Sequence, residues 1–205
     1  MKPLFIALGF ATLWIAVASP LAHLDHRLLT AHMVQHLLLT VLAAPLILLG
    51  APAIVIRLRP QPAFCWFAGA ITVIVWHVPS IFEVALRSHS WHAFEHASFL
   101  IAGILFWWPV IQSVPSEGWL IPLYLFSATL PCDALSAFLA LCGHVVYRPY
   151  LSPHGPSRLS PLEDQALAGA LMWVTVTFAY LIPALVVTAK LLSGERKHAV
   201  EAGVY

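Results

Sequence analysis

The sequence predicts an all-α membrane protein, a polytopic transmembrane helical bundle of about six spans. Of its 205 residues 60% are hydrophobic and only 9% are charged, and the mean hydropathy is +0.86. Its apolar runs can be divided into six segments that approach the roughly 20 residues needed to cross hydrocarbon as helix. Because backbone groups in lipid must bond within their own segment, each run is expected to be helical. No repeat or long linker divides the chain, so residues 1–205 form one integral membrane domain.

The first two spans are predicted near residues 3–19 and 26–49. The first also has features of a secretory signal, namely Lys2, an apolar run and the small residues at 16–18. We expect an uncleaved helix there. Asp25 is predicted to cap the second span, and the Gly-Ala-Pro sequence at 50–52 is predicted to end it. Pro45 lies within this span and is expected to kink it.

The other four spans are predicted near residues 63–76, 91–111, 119–142 and 161–192. A polar turn containing Arg57 and Arg59 precedes the third span, and the His-Val-Pro sequence at 77–79 ends it. Pro131 and Pro183 are expected to kink the last two spans and to free backbone carbonyls. Ser160 and Glu163 have the spacing of a capping box, with proline in the first turn between them.

Six spans place both termini on one side of the membrane, and the positive-inside rule favours the cytoplasm for that side. Ten of the eleven histidines then fall at the opposite, outward end. Only His198 lies with the termini. The cations on the cytoplasmic side are Lys2, Arg57, Arg59, Lys190, Arg196 and Lys197, and those outside are Arg27, Arg87, Arg148 and Arg158.

Two histidine pairs have helical spacing within predicted spans: His32 with His36, and His92 with His96. Residues four apart share one helix face, so each pair can present two nitrogens to one ion. Glu95 lies close enough to act as a further ligand or to orient a histidine. His77, at the end of the third span, can complete the set. Imidazole suits copper, zinc, iron and nickel, and an unpartnered imidazole in lipid is costly.

Other polar and sulfur-containing residues are less specific. Met33 and Met172 are thioethers that favour Cu(I), although core packing is the simpler explanation for both. Asp133, in the fifth span, is either a proton or metal relay or a carboxyl that stabilises the Pro131 kink. Cys65, Cys132 and Cys142 form no CxxC pair, which argues against a disulfide framework and a thiolate zinc site. No basic run is present, so nucleic acid is not an expected partner.

Three groups of motifs extend from His32 to Trp173. They are HMVQH (32–36) with APL (44–46) and GAP (50–52), then WHVP (76–79) with HAFEH (92–96) and FWWP (106–109), and finally DQALAG (164–169) with Met172-Trp173. Together they resemble the CtaG-like (caa3-type) family of cytochrome c oxidase assembly factors. The resemblance implies a multi-pass protein of the bacterial plasma membrane that is needed for an active haem-copper oxidase, whose subunits would be its partners.

The resemblance also implies delivery of copper, as Cu(I) or Cu(II), to the oxidase. The ligand candidates are then His32, His36, His77, His92 and His96, with Glu95 and Met172 as adjuncts. Three alternatives stay open: a redox protein with histidine-ligated haem, an intramembrane hydrolase with a metal-activated water, and a scaffold without metal. HMVQH lacks the glutamate of the HExxH signature, which excludes a zinc metalloprotease of the HExxH class. Ligands from one protomer or from two in a homo-oligomer fit the sequence equally well.

Overall fold

The computed structural model describes residues 1–51, 60–112, 118–151 and 159–201, and all regular structure in these ranges is helical. A π-helical turn, Leu38–Ala43, joins the helices Leu29–Leu37 and Ala44–Gly50, and a 3₁₀ turn, Arg148–Leu151, precedes the last helix. The α-helices are α1 Lys2–Ala18, α2 Leu21–Leu24, α3 Leu29–Leu37, α4 Ala44–Gly50, α5 Pro62–Trp76, α6 Pro79–Arg87, α7 His89–Ile111, α8 Leu120–Leu141 and α9 Pro161–Glu201.

Five of the six predicted spans are confirmed as helices long and apolar enough to cross a membrane. They are Lys2–Leu24, Leu29–Gly50, His89–Ile111, Leu120–Leu141 and Pro161–Ser193. The third predicted span is only the 15 residues of α5, and it continues through a 76° bend into α6. Val78 makes this break, because a residue before proline is driven out of the helical region, and its backbone is extended there. The amphipathic helix α6 was not predicted.

The prediction that Asp25 caps the second span is wrong. The residue before α3 is Leu28, which cannot cap with its side chain, and Asp25 lies earlier, at the end of α2. The cap comes from the far end of the chain instead. Asp164, in the first turn of α9, accepts hydrogen bonds from the backbone N–H groups of Leu29 at 2.6 Å and Thr30 at 3.3 Å. A carboxylate at this position also stabilises the positive end of the α3 dipole.

The predicted capping box at the start of α9 is confirmed. The Ser160 backbone N–H donates to Glu163 Oε2 at 2.7 Å, and the Glu163 N–H donates to Ser160 Oγ at 3.3 Å. The next residue but one, Gln165, binds the loop before α9: its Oε1 accepts from Val146 N at 2.7 Å and its Nε2 donates to His144 O at 3.1 Å. The first turn of α9 therefore caps its own helix and also binds the loop at the end of the bundle where the histidines lie.

A π-helical turn precedes Pro45 in the second span, and the predicted kink at Pro45 stays a prediction. Within that turn the Ala44 N–H bonds to Leu39 O, five residues back. The next such bond would run from residue 45 to Thr40 O, but proline has no N–H. The Thr40 carbonyl instead accepts from Trp107 Nε1 at 2.9 Å, which joins α3–α4 to α7. Gly103 permits this approach, because a Cβ there would lie 2.9 Å from Thr40 Cα.

The core beneath the histidines combines side chains from α3, α6, α8 and α9 with the loop before α9. Its buried members are Leu29, Met33, Phe82, Cys132, Leu139, Tyr147, Tyr150, Ala168, Met172 and Val176. Large apolar side chains on the outer faces of the helices are exposed, which is the pattern of a lipid-facing surface. The predicted features at Pro52, Arg57, Arg59, His154 and Arg158 lie outside the described residues.

Candidate metal site

The first predicted histidine pair, His32 with His36, converges on one carboxylate. Glu95 Oε1, on α7, lies 3.4 Å from His32 Nε2 and 3.4 Å from His36 Nε2, both on α3. All three residues are buried, and one ligand atom from each lies within 4.8 Å of the others. Helical spacing explains the arrangement, because His32 and His36 stack one turn apart on the face that α7 covers.

The His32 Nε2–Glu95 Oε1 contact is a long hydrogen bond, and separations of this size also fit ligands around one ion. A good N–H···O bond is about 2.7–3.2 Å long, and each of these contacts is 3.4 Å. Ligands held about 2.0–2.1 Å from a tetrahedral metal lie about 3.4 Å apart. In addition, His36 Nδ1, His36 Nε2, His32 Nδ1 and Glu95 Oε2 are buried without a hydrogen-bond partner among the described residues. Such unsatisfied groups are costly in a membrane interior unless something binds them.

A second group lies beside the first, nearer the end of the bundle. Asp25 Oδ2 is 3.5 Å from His92 Nε2, and Asp25 Oδ1 is 3.7 Å from His26 Nε2. Asp25 is only 1% exposed, whereas the side chain of His26 is 52% exposed. Sequence reasoning placed neither Asp25 nor His26 at a site. The sequence signal for this group was an acid next to a histidine, Asp25-His26, shortly before the HMVQH motif. The sequence did not show that the turn at 25–28 brings these two residues to α7.

The predicted residue His96 joins the histidine cluster without belonging to either group. Its ring centroid lies 4.3 Å from that of His92 and 5.8 Å from that of His36. Its Nε2 is buried and has no hydrogen-bond partner in the described part of the chain. The ring is therefore placed between the two groups, with a free nitrogen.

His77 and Met172 lie on the other side of His36, around an interior cavity of about 60 Å³ that Met33 also lines. The His77 ring centroid is 6.3 Å from that of His36. Its Nδ1–H donates to Val73 O at 2.7 Å, which leaves the Nε2 lone pair free, as in a metal-ligating histidine. Met172 is part of the apolar core and belongs to neither group. Its role as an adjunct ligand stays a prediction.

Aromatic side chains hold the cluster in place. Phe99 stacks on His36 with ring centroids 3.9 Å apart, and Phe82 lies 4.8 Å from the His32 ring. Tyr147 donates to His77 O at 3.1 Å, and Tyr150 donates to Asp25 O at 2.6 Å. Burial and, next, the negative charge of Asp25 raise the pKa of Tyr150 well above its ordinary value, so its hydroxyl stays a donor.

The remaining polar candidates lie elsewhere. Asp133 Oδ1 accepts from Thr177 Oγ1 at 3.2 Å, a contact between α8 and α9, and both predicted roles of Asp133 stay predictions. The three cysteines are free, as expected. Cys142 Sγ lies 3.4 Å from His144 Nδ1 at the exposed end of the bundle. His23 and His89 are exposed.

A comparison with protein families supports the resemblance carried by the motifs. The family model described as cytochrome c oxidase caa3 assembly factor matches residues 2–193. The chain belongs to this family. The matched range contains every residue of both groups of metal-ligand candidates, and the family predicted from the motifs is confirmed. No curated protein and no solved structure gives a match.

Proposed function

We propose that this caa3 assembly factor binds copper between α3 and α7 and passes it to the membrane subunits of a haem-copper oxidase. The observation that carries the proposal is the buried group of His32, His36 and Glu95, with all three ligand atoms within 4.8 Å of one another. Copper is the cargo here, so the protein needs to hold the ion and release it without a chemical transformation.

The donor set suits this task. Imidazole binds both oxidation states of copper, and one carboxylate favours Cu(II) over Cu(I). Free nitrogens on His77 and His96 lie close to the group and offer alternative ligands during exchange. An ion can then move by replacing one imidazole with another, and no covalent intermediate is required.

Haem is less well supported as the occupant. The interior cavity that reaches His36 and His77 measures about 60 Å³. Sites for organic ligands usually measure about 300–1,000 Å³, so the described bundle offers no comparable space beside these histidines. Hydrolysis has equally little support, since the cavity is lined almost wholly by apolar side chains.

The distribution of cations along the sequence supports one orientation in the membrane. We infer that the termini lie in the cytoplasm and that the histidine end faces outward across the bacterial plasma membrane. Both groups of ligand candidates lie where α3 and α7 begin, at the end opposite the termini. Copper held there would lie on the outer side, where it is accessible to an extracytoplasmic donor.

Copper binding to the full chain in detergent tests the proposal directly. Purified protein is titrated with Cu(II) and, under reductant, with Cu(I), in competition with a chromophoric chelator. Removing a residue that merely hydrogen-bonds to a metal ligand lowers metal affinity about 10–100-fold, and removing a ligand itself should cost at least as much. We therefore expect His36→Ala to lose at least roughly tenfold in affinity.

His89→Ala is the matched control, because His89 lies on α7 and is exposed. It should bind copper like the unchanged protein. Equal copper affinity in His36→Ala and His89→Ala, with both variants folded, would contradict the proposal and would favour a scaffold without metal.

A further inference from the structure

We propose that Asp25, His26 and His92 form a second copper site, an exchange site through which the buried His32–His36–Glu95 site is loaded and emptied. The inference depends on the proposed function for the identity of the ion. The geometry of the second site is independent of it, since the two groups share no residue.

The composition of the exchange site matches that of the buried site. Each consists of two imidazoles and one carboxylate whose ligand atoms lie within 4.8 Å. In the exchange site the carboxylate is the bridging member: Asp25 lies between His26, at 3.7 Å, and His92, at 3.5 Å. Both distances exceed those of good hydrogen bonds, yet they fit ligands around one ion.

Asp25 itself indicates a ligand. Its side chain is 1% exposed, and neither carboxylate oxygen has a hydrogen-bond partner among the residues that the structure describes. A buried carboxylate without donors is unstable as an anion unless a cation neutralises it. Its backbone carbonyl accepts a 2.6 Å hydrogen bond from Tyr150, which fixes the backbone at this position beside His92.

Access distinguishes the two sites. The buried group has no exposed member, since His32 and Glu95 are 0% exposed and His36 is 5% exposed. His26, by contrast, lines a surface depression of about 390 Å³ together with Glu83, Arg87 and Arg148. An incoming ligand can therefore reach a metal at the exchange site but not at the buried site.

A continuous series of imidazole rings joins the sites. Ring centroids are 5.1 Å apart from His26 to His92, 5.4 Å from His92 to His32 and 4.4 Å from His32 to His36. Each step is short enough for an ion to be handed from one ring to the next by ligand replacement. Exposure falls along the series, from 52% of the His26 side chain to 9% of His92 and 0% of His32.

The test measures copper stoichiometry and transfer rate on the full chain in detergent. The unchanged protein is expected to bind about two copper ions, one at each group. His26→Ala removes a half-exposed ligand and should leave about one ion, whose transfer to a competing chelator becomes at least roughly tenfold slower. Asp25→Asn should act in the same direction, and His23→Ala, at an exposed histidine nearby, should leave both quantities unchanged.

Each outcome separates this inference from the proposed function. If His26→Ala keeps the full stoichiometry and transfer rate, the exchange site is refuted. If the protein binds a single ion that His36→Ala abolishes and His26→Ala retains, the exchange site is likewise refuted while the proposed function stands. If the single ion is lost in His26→Ala and kept in His36→Ala, Asp25, His26 and His92 bind metal, but the buried site is refuted and with it their role in loading and emptying that site.

Discussion

Replacement of Asp164 by alanine should destabilise the protein at the helix that carries His32 and His36. The carboxylate accepts from the N–H groups of Leu29 and Thr30, and the residue is 4% exposed. Hydrogen bonds to a charged group contribute roughly 1.5–3 kcal/mol each, and an N-cap roughly 0.5–2 kcal/mol. Since both bonds serve the same cap, these contributions overlap, and we expect Asp164→Ala to lower the free energy of unfolding by about 3 kcal/mol.

Thermal unfolding in detergent, followed by far-UV circular dichroism, measures this loss. For a chain of this length 1 kcal/mol shifts Tm by about 2–4 °C, so Asp164→Ala should unfold about 6–12 °C lower. Asp164→Asn keeps an acceptor but loses the charge, so its Tm should fall by roughly half as much. Copper affinity should fall with stability, because His32 lies in the first turn of α3.

The neighbouring Glu163→Gln is the matched control. Glu163 is exposed, and glutamine retains an acceptor for the capping box. Surface changes of this kind usually stay within about 0.5 kcal/mol. If Asp164→Ala and Glu163→Gln unfold within about 2 °C of each other, the cap does not support α3 and the reasoning fails.

Two further predictions concern the contact between the π-helical turn and α7. Gly103→Ala should cost about 1–3 kcal/mol of unfolding free energy, because its Cβ would lie 2.9 Å from Thr40 Cα. Gly143→Ala, whose Cβ meets no atom within 4 Å, should be near neutral, and equal Tm values in these two variants would contradict the packing argument. Trp107→Phe leaves Thr40 O without its donor and should cost about 1–3 kcal/mol. The half-exposed Trp119→Phe serves as comparison in the same unfolding assay, and a loss no greater in Trp107→Phe would show that this hydrogen bond contributes nothing.

Local patterns in the sequence were sufficient for most of the helices and for the core of the buried site. Apolar run length predicts a helix in lipid almost regardless of tertiary context. The capping box at Ser160 and the helical spacing of His32 with His36 are equally local, and both appear in the structure as predicted. Their positions depend on residues within four of each other, so no long-range information was needed.

The errors at Asp25 and at the α3 cap concern residues whose roles are set by distant parts of the chain, whereas the break in the third span has a local cause at Val78. Asp164 caps a helix 135 residues away, and nothing near Leu29 in the sequence indicates this. Asp25 was predicted to be the cap because it precedes a helix, but Asp164 already occupies that role. Once the α3 cap is provided from α9, Asp25 is free to face His26 and His92. The missed grouping of Asp25 with His26 and His92 and the mistaken cap thus have one physical cause.

The π-helical turn shows how a defect in one helix aligns the site with the core. In a regular α-helix, residues 36 and 44 differ by eight steps of about 100°, so their side chains would point about 80° apart. A π turn absorbs one additional residue and reduces this difference to about 20°. His36 and Ala44 can therefore both face α7, where Phe99 stacks on His36 and Gly103 packs against Ala44. Pro45 has no backbone N–H to donate to Thr40 O, and Trp107 Nε1 donates to that carbonyl in its place. The π-helical turn before Pro45 consequently keeps the histidine-bearing face and the packing face of one span on the same neighbour.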